Sequence, residues 1–67
     1  MQTDLPERRE AKGLSQEALA DAVGVTRQTI NAIERDRYDP SLALAFTLAD
    51  YFDCRIEELF EPSADET

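Results

Sequence analysis

At 67 residues the chain has room for one small hydrophobic core and no second domain, because a protein of this size buries only about 60% of the surface of its unfolded form. A single cysteine, Cys54, excludes an internal disulfide, and with no histidine and two glycines there is neither a zinc set nor a Gly-rich phosphate loop. The formal net charge of −8 describes a strongly acidic surface, which opposes polyanions wherever basic groups are not clustered.

No apolar run reaches the roughly 18 residues that span a membrane, and the opening MQTDLPERRE is too polar for a signal peptide. The expectation is a cytoplasmic protein with no membrane partner. Ser15, Ser41 and Ser63 fall at apparent helix caps or in the tail, and the carboxylates are scattered at helix-surface spacing. No catalytic group, cofactor, metal ion or small-molecule ligand is expected.

In chain order, the first predicted helix covers 5–12, with Pro6 in the first turn, where its missing N–H is not needed. The second covers 16–23. Ser15 is placed to cap it, Ala18, Leu19, Ala22 and Val23 recur at the helical interval, and Gly24 follows as the natural left-handed turn. The third covers 27–35 with Thr26 as its cap. Asp39, Pro40 and Ser41 force a break, Ser41 caps a fourth helix over 42–52, and a short fifth covers 56–60. The segment 62–67 is polar and aperiodic, so a domain over 1–61 with a disordered acidic tail is expected.

Leu42, Ala45, Leu48, Ala49 and Phe52 share one side of the fourth helix and are expected to close a core against Leu19, Val23, Val25, Ile30 and Ile33. Phe46 and Tyr51 lie off that stripe. With Leu59 and Phe60 they are read as an exposed apolar patch through which two copies pair.

Two short helices joined by a turn at Gly24 have the sequence form of a helix-turn-helix, whose second helix enters the DNA major groove. At about 100° per residue, Ile30 and Ile33 share the inward side of the third helix, while Arg27, Gln28, Asn31, Ala32 and Arg35 share the opposite arc. That arc has no carboxylate and carries the Arg, Gln and Asn types that pair with guanine and adenine edges.

Arg9, Gly13, Leu14, Ser15, Gln16, Leu19, Ala20, Gly24, Val25, Ile30, Ile33 and Glu34, followed by PSL at 40–42 and IEELF at 56–60, form a specific set. On these residues, positions 5–60 resemble the phage repressor and Cro type of helix-turn-helix regulator, also called the xenobiotic-response-element family, in its small stand-alone form. The resemblance implies an all-α, compact five-helix, lambda-repressor-like domain that binds double-stranded DNA, with a homodimeric repressor on an inverted repeat as the expected form. It places Arg27, Gln28 and Ala32 at the leading base-contacting positions, with Thr29 and Asn31 behind them. It places Gln16, Thr26, Arg35, Arg37 and Tyr38 against the phosphates, and makes Arg9 and Glu34 a largely buried structural salt bridge.

Three features depart from that pattern. Arg8 stands where an apolar residue is common, Asp53 stands in place of a glycine between the last two helices, and the charge is acidic. From Asp39 onward there are eight acids against Arg55 alone, while Arg27, Arg35 and Arg37 cluster in and after the third helix. Six arginines to one lysine on an acidic chain resemble proteins of salt-loving organisms, in which short screening lengths mute repulsion. A second reading stays open: an antitoxin-like or anti-regulator interaction module on the same fold, binding a basic protein in place of DNA.

Overall fold

The computed structural model describes residues 1–61; the tail expected to be disordered lies outside the described residues. It contains helices α1 (Leu5–Ala11), α2 (Gln16–Val23), α3 (Arg27–Glu34), α4 (Leu42–Tyr51) and α5 (Ile56–Leu59). Four of the five starts, those of α2 to α5, have a local hydrogen-bonded cause. The hydroxyls of Ser15, Thr26 and Ser41 accept the backbone N–H groups of Ala18, Thr29 and Leu44 at 3.0, 3.2 and 3.1 Å, satisfying donors the helix itself cannot. At α5 the Glu58 carboxylate accepts the Arg55 N–H at 2.8 Å.

The ends of the first four helices share one device. One or two residues past the helix the backbone turns left-handed, with φ of 69° at Gly13, 78° at Gly24, 61° at Asp36 and 55° at Asp53. The next N–H reaches back to a carbonyl of the last turn: Leu14 to Arg9, Val25 to Ala20, Arg37 to Ala32 and Cys54 to Ala49. Asp53 therefore does occupy a glycine-type position, and Asp36 is a second one that the sequence did not reveal.

Two short strands, β1 (Gln2–Thr3) and β2 (Phe60–Glu61), pair antiparallel with Thr3 opposite Phe60 and join the two ends of the described chain. The Thr3 hydroxyl donates to the Leu59 carbonyl at 2.9 Å and accepts the Leu5 N–H, linking the strand to the start of α1. This corrects the expected fifth helix. Phe60 leaves the helix for an extended backbone, φ −128° and ψ 139°, and its ring turns into the core.

The core is built from Leu5, Leu19, Ala20, Ile30, Ile33, Ala45, Leu48, Ala49, Phe52, Leu59 and Phe60, with Val23 and Val25 half-buried against it. Burying each large apolar side chain contributes about 1.5–3 kcal/mol. Two expectations are overturned here. Leu42, expected inside, is 68% exposed because α4 is only beginning there and the packed stripe starts at Ala45. Leu59 and Phe60, expected in an intermolecular patch, are 1% and 6% exposed because α5 and β2 direct them into the protomer's own core.

Candidate nucleic-acid interface

The interface is framed by one ion pair. Arg9 of α1 donates from Nε to Glu34 Oε2 at 2.7 Å and from Nη2 to Glu34 Oε1 at 3.2 Å, with side chains only 13% and 6% exposed. Its remaining nitrogen, Nη1, donates to the Leu14 carbonyl at 2.8 Å and fixes the loop between α1 and α2. The hydrogen bond to Glu34 raises the Arg9 pKa above its ordinary value, against an opposing contribution from burial. Planar two-point pairing of this kind fixes orientation as well as charge, so the C-terminal end of α3 is locked to α1.

Glu34 also anchors a side chain at the other end of the motif. Gln16, the first residue of α2, donates from Nε2 to Glu34 Oε1 at 3.0 Å, and its Oε1 accepts the Asn31 Nδ2 at 3.3 Å. Gln16 and Asn31, expected at a phosphate and a base respectively, are thus joined to each other. The helical wheel gave no sign of this link, since it puts Asn31 on the open arc of the third helix.

The remaining expected contact residues are distributed along the open side of α3 and just beyond it. Arg27 and Gln28 are exposed in its first turn, and Ala32 is half-buried on the next. Thr29 is more constrained: its hydroxyl lies 3.1 Å from that of Thr26, so both belong to the cap of α3. Arg35, Arg37 and Tyr38 are exposed beyond the end of α3. Arg27, Arg35 and Arg37 form no ion pair with the described carboxylates, whereas Arg9 pairs with Glu34 and Arg8 lies 3.8 Å from Asp4. Asp36, the nearest acid after α3, is paired with the Met1 ammonium at 2.9 Å. Basic charge on this face is therefore not cancelled by ion pairs with the described carboxylates, although the whole chain is acidic.

Arg8 behaves as its unusual position suggests. It is half-buried, and its Nε is the single buried side-chain polar atom among the described residues without a hydrogen-bond partner. On the far side, Phe46 is 59% exposed beside Leu42 on α4. Tyr51 is half-buried, packed edge-on against Phe52 with 5.2 Å between ring centroids, and lies under the Lys12 ammonium. The apolar patch is thus centred on Leu42 and Phe46.

Residues 7–59 match the family model described as Helix-turn-helix. The chain belongs to the helix-turn-helix family. An HTH-type transcriptional regulator of Methanocaldococcus jannaschii is 48% identical over 66 residues, covering 98% of this chain and all of the relative. The regulator YgzD of Bacillus subtilis is 45% identical over 60 residues, covering 90% of this chain and 91% of its own. Among solved structures, the restriction-modification controller protein C.AhdI of Aeromonas hydrophila is similar with a TM-score of 0.74 and 43% identity, over 84% of this chain and 81% of that one. The hypothetical transcription factor NHTF of Neisseria is similar with a TM-score of 0.72 and 31% identity, over 87% of this chain and 67% of that one. As a member of this family, the protein is a helix-turn-helix regulator of the DNA-binding type. No helix among the described residues is long and apolar enough to cross a membrane.

Proposed function

We propose that this helix-turn-helix protein is a sequence-specific, cytoplasmic repressor that binds an inverted repeat in double-stranded DNA as a homodimer and occludes polymerase. The observation that carries the reading is the open face of α3. Arg27, Gln28 and Ala32 stand there with Arg27 in no ion pair with the described carboxylates, on a helix whose own acid, Glu34, is consumed by Arg9. Arg and Gln match guanine and adenine edges, and a short alanine suits a thymine methyl. Gln16, Thr26, Arg35, Arg37 and Tyr38 flank that face and supply the phosphate contacts, helped by the N-terminus of α2.

The exposed pair Leu42 and Phe46 supports dimerisation through α4. Two copies holding their recognition helices about 34 Å apart read successive major grooves and combine their specificity. The acidic, lysine-poor composition fits a protein working at high salt, where the phosphate contribution is screened and base contacts carry more of the selectivity.

The net charge of −8 favours the second reading, an acidic interaction module for a basic protein partner. Amide chemical-shift mapping during titration with a mixed-sequence duplex at low salt separates the two. The repressor reading predicts shifts concentrated in α3, the turn before it and residues 15–17. A protein whose α3 signals stay still at saturating duplex would instead fit the interaction module.

A further inference from the structure

The described residues stop at Glu61, and the β1–β2 ladder fixes where that point lies. Glu61 is opposite Gln2, and the neighbouring Met1 ammonium is 2.9 Å from Asp36 Oδ1. Asp36 stands between Arg35 and Arg37, just past α3. The ladder thus brings the start of segment 62–67 to the basic end of the recognition helix. We propose that this acidic segment is an intramolecular competitor of DNA, which covers Arg35 and Arg37 in the free protein and is displaced when phosphates take its place. This inference rests on the DNA-binding reading above and adds regulation of that same face.

Reach and charge both point to those two arginines. The segment reads PSADET, with two carboxylates, Asp65 and Glu66, no basic group and no large apolar side chain to add to the core. A chain spans at most about 3.6 Å per residue, so Asp65 and Glu66 reach roughly 14 and 18 Å from Glu61. The way from Glu61 to Asp36 is one strand spacing of about 5 Å, one residue and one side-chain contact. Both carboxylates therefore come within range of the long arginine side chains on either side of Asp36.

The other surroundings of Glu61 repel the segment or have little to offer it. The groove along the ladder is edged by Asp4, Glu57, Glu58 and Glu61, so like charge turns an acidic chain away from it. Arg8 and Arg9 already face Asp4 and Glu34, and Lys12 faces the Tyr51 ring at 5.6 Å. Arg35 and Arg37 are exposed, form no ion pair with the described carboxylates, and have Met1 holding the one acid between them. Exposed pairs of this kind are weak and screened by salt, which suits a contact that DNA must displace. Tethering raises the local concentration of the competing carboxylates, so weak pairs suffice.

The test neutralises the segment in the full chain with Asp65→Asn and Glu66→Gln together. A control variant, Glu7→Gln with Asp53→Asn, removes the same charge from exposed positions on α1 and before α5. Without DNA, backbone amide and arginine Nε–Hε signals are recorded at low salt. Neutralising the segment should move the signals of Arg35, Arg37 and Tyr38, and the control variant should leave them in place. With a mixed-sequence duplex at low salt, the segment variant should bind about five-fold tighter than wild type, as two exposed ion pairs of ordinary strength imply. The control variant should stay within about two-fold of wild type, and the gain should shrink as salt rises toward about 0.5 M.

If wild type binds the duplex but the arginine signals stay still, the affinity does not rise, or the control variant gains as much, the competitor role is refuted while DNA binding stands. If neither wild type nor the segment variant binds the duplex, the DNA-binding reading and this inference fall together.

Discussion

Arg9→Ala is expected to be among the most damaging single changes available outside the apolar core. It removes three hydrogen bonds, two to Glu34 and one to the Leu14 carbonyl. It leaves a carboxylate whose side chain is 6% exposed with Gln16 as its remaining donor. Breaking a buried pair from one side costs about 3–5 kcal/mol; the surviving Gln16 bond places this case near the lower end, at about 3 kcal/mol. A 67-residue chain at roughly 0.05–0.15 kcal/mol per residue has about 3–10 kcal/mol in total. The substitution therefore removes a third or more of the stability. Urea denaturation followed by far-UV circular dichroism, with wild type and variant at equal concentration, measures it. Arg9→Met combined with Glu34→Leu should cost less than Arg9→Ala alone, because no buried charge is left unpaired. A loss below about 1 kcal/mol for Arg9→Ala, or a double variant as damaged as the sum of the singles, would refute the assignment of this pair as the frame of the interface.

Asp53→Gly should stabilise the protein by about 0.5–1 kcal/mol, since the left-handed backbone strains a residue with a Cβ and part of the relief is offset by the freer unfolded chain; thermal melts should show a rise of a few degrees, and a fall would refute the strain argument. Gln28→Ala should weaken binding to the selected site by about 1–3 kcal/mol and leave binding to scrambled duplex nearly intact. Equal loss on both sequences would show that Gln28 reads no base. Arg37→Ala should lower affinity for all sequences and flatten the dependence of log affinity on log salt by about one unit, so an unchanged slope removes Arg37 from the phosphates. Wild type should sediment with the mass of two chains and Phe46→Glu with that of one; an equal mass for both would take the exposed part of α4 out of any interface.

The helix starts were legible because their causes are local. Ser15, Thr26 and Ser41 each bond an N–H three residues on, and Gly24 supplies the turn that separates α2 from α3. The inward positions of Leu19, Ile30, Ile33 and Leu48 followed from helical spacing for the same reason. What escaped depends on distant partners. Phe60 reads as the end of an apolar helix until Thr3, at the other end of the chain, pairs with it in the β1–β2 ladder. That pairing, together with the single turn of α5, moved Leu59 and Phe60 from the expected dimer patch into the core. Leu42 escaped because a residue in the first turn of a helix can sit on the right stripe yet lie beyond the neighbours that would cover it. The left-handed Asp36 carries no glycine to announce it, and the Gln16–Asn31 link joins residues fifteen positions apart through side chains alone.

Whether α3 reads base sequence in a two-fold arrangement is decided by selection of bound duplexes from a random DNA pool by purified protein at low and at high salt, followed by sequencing of the retained fraction. Enrichment of an inverted repeat whose half-sites lie about one helical turn apart is the expected outcome. Retention of folded protein with no enriched sequence at either salt would contradict it.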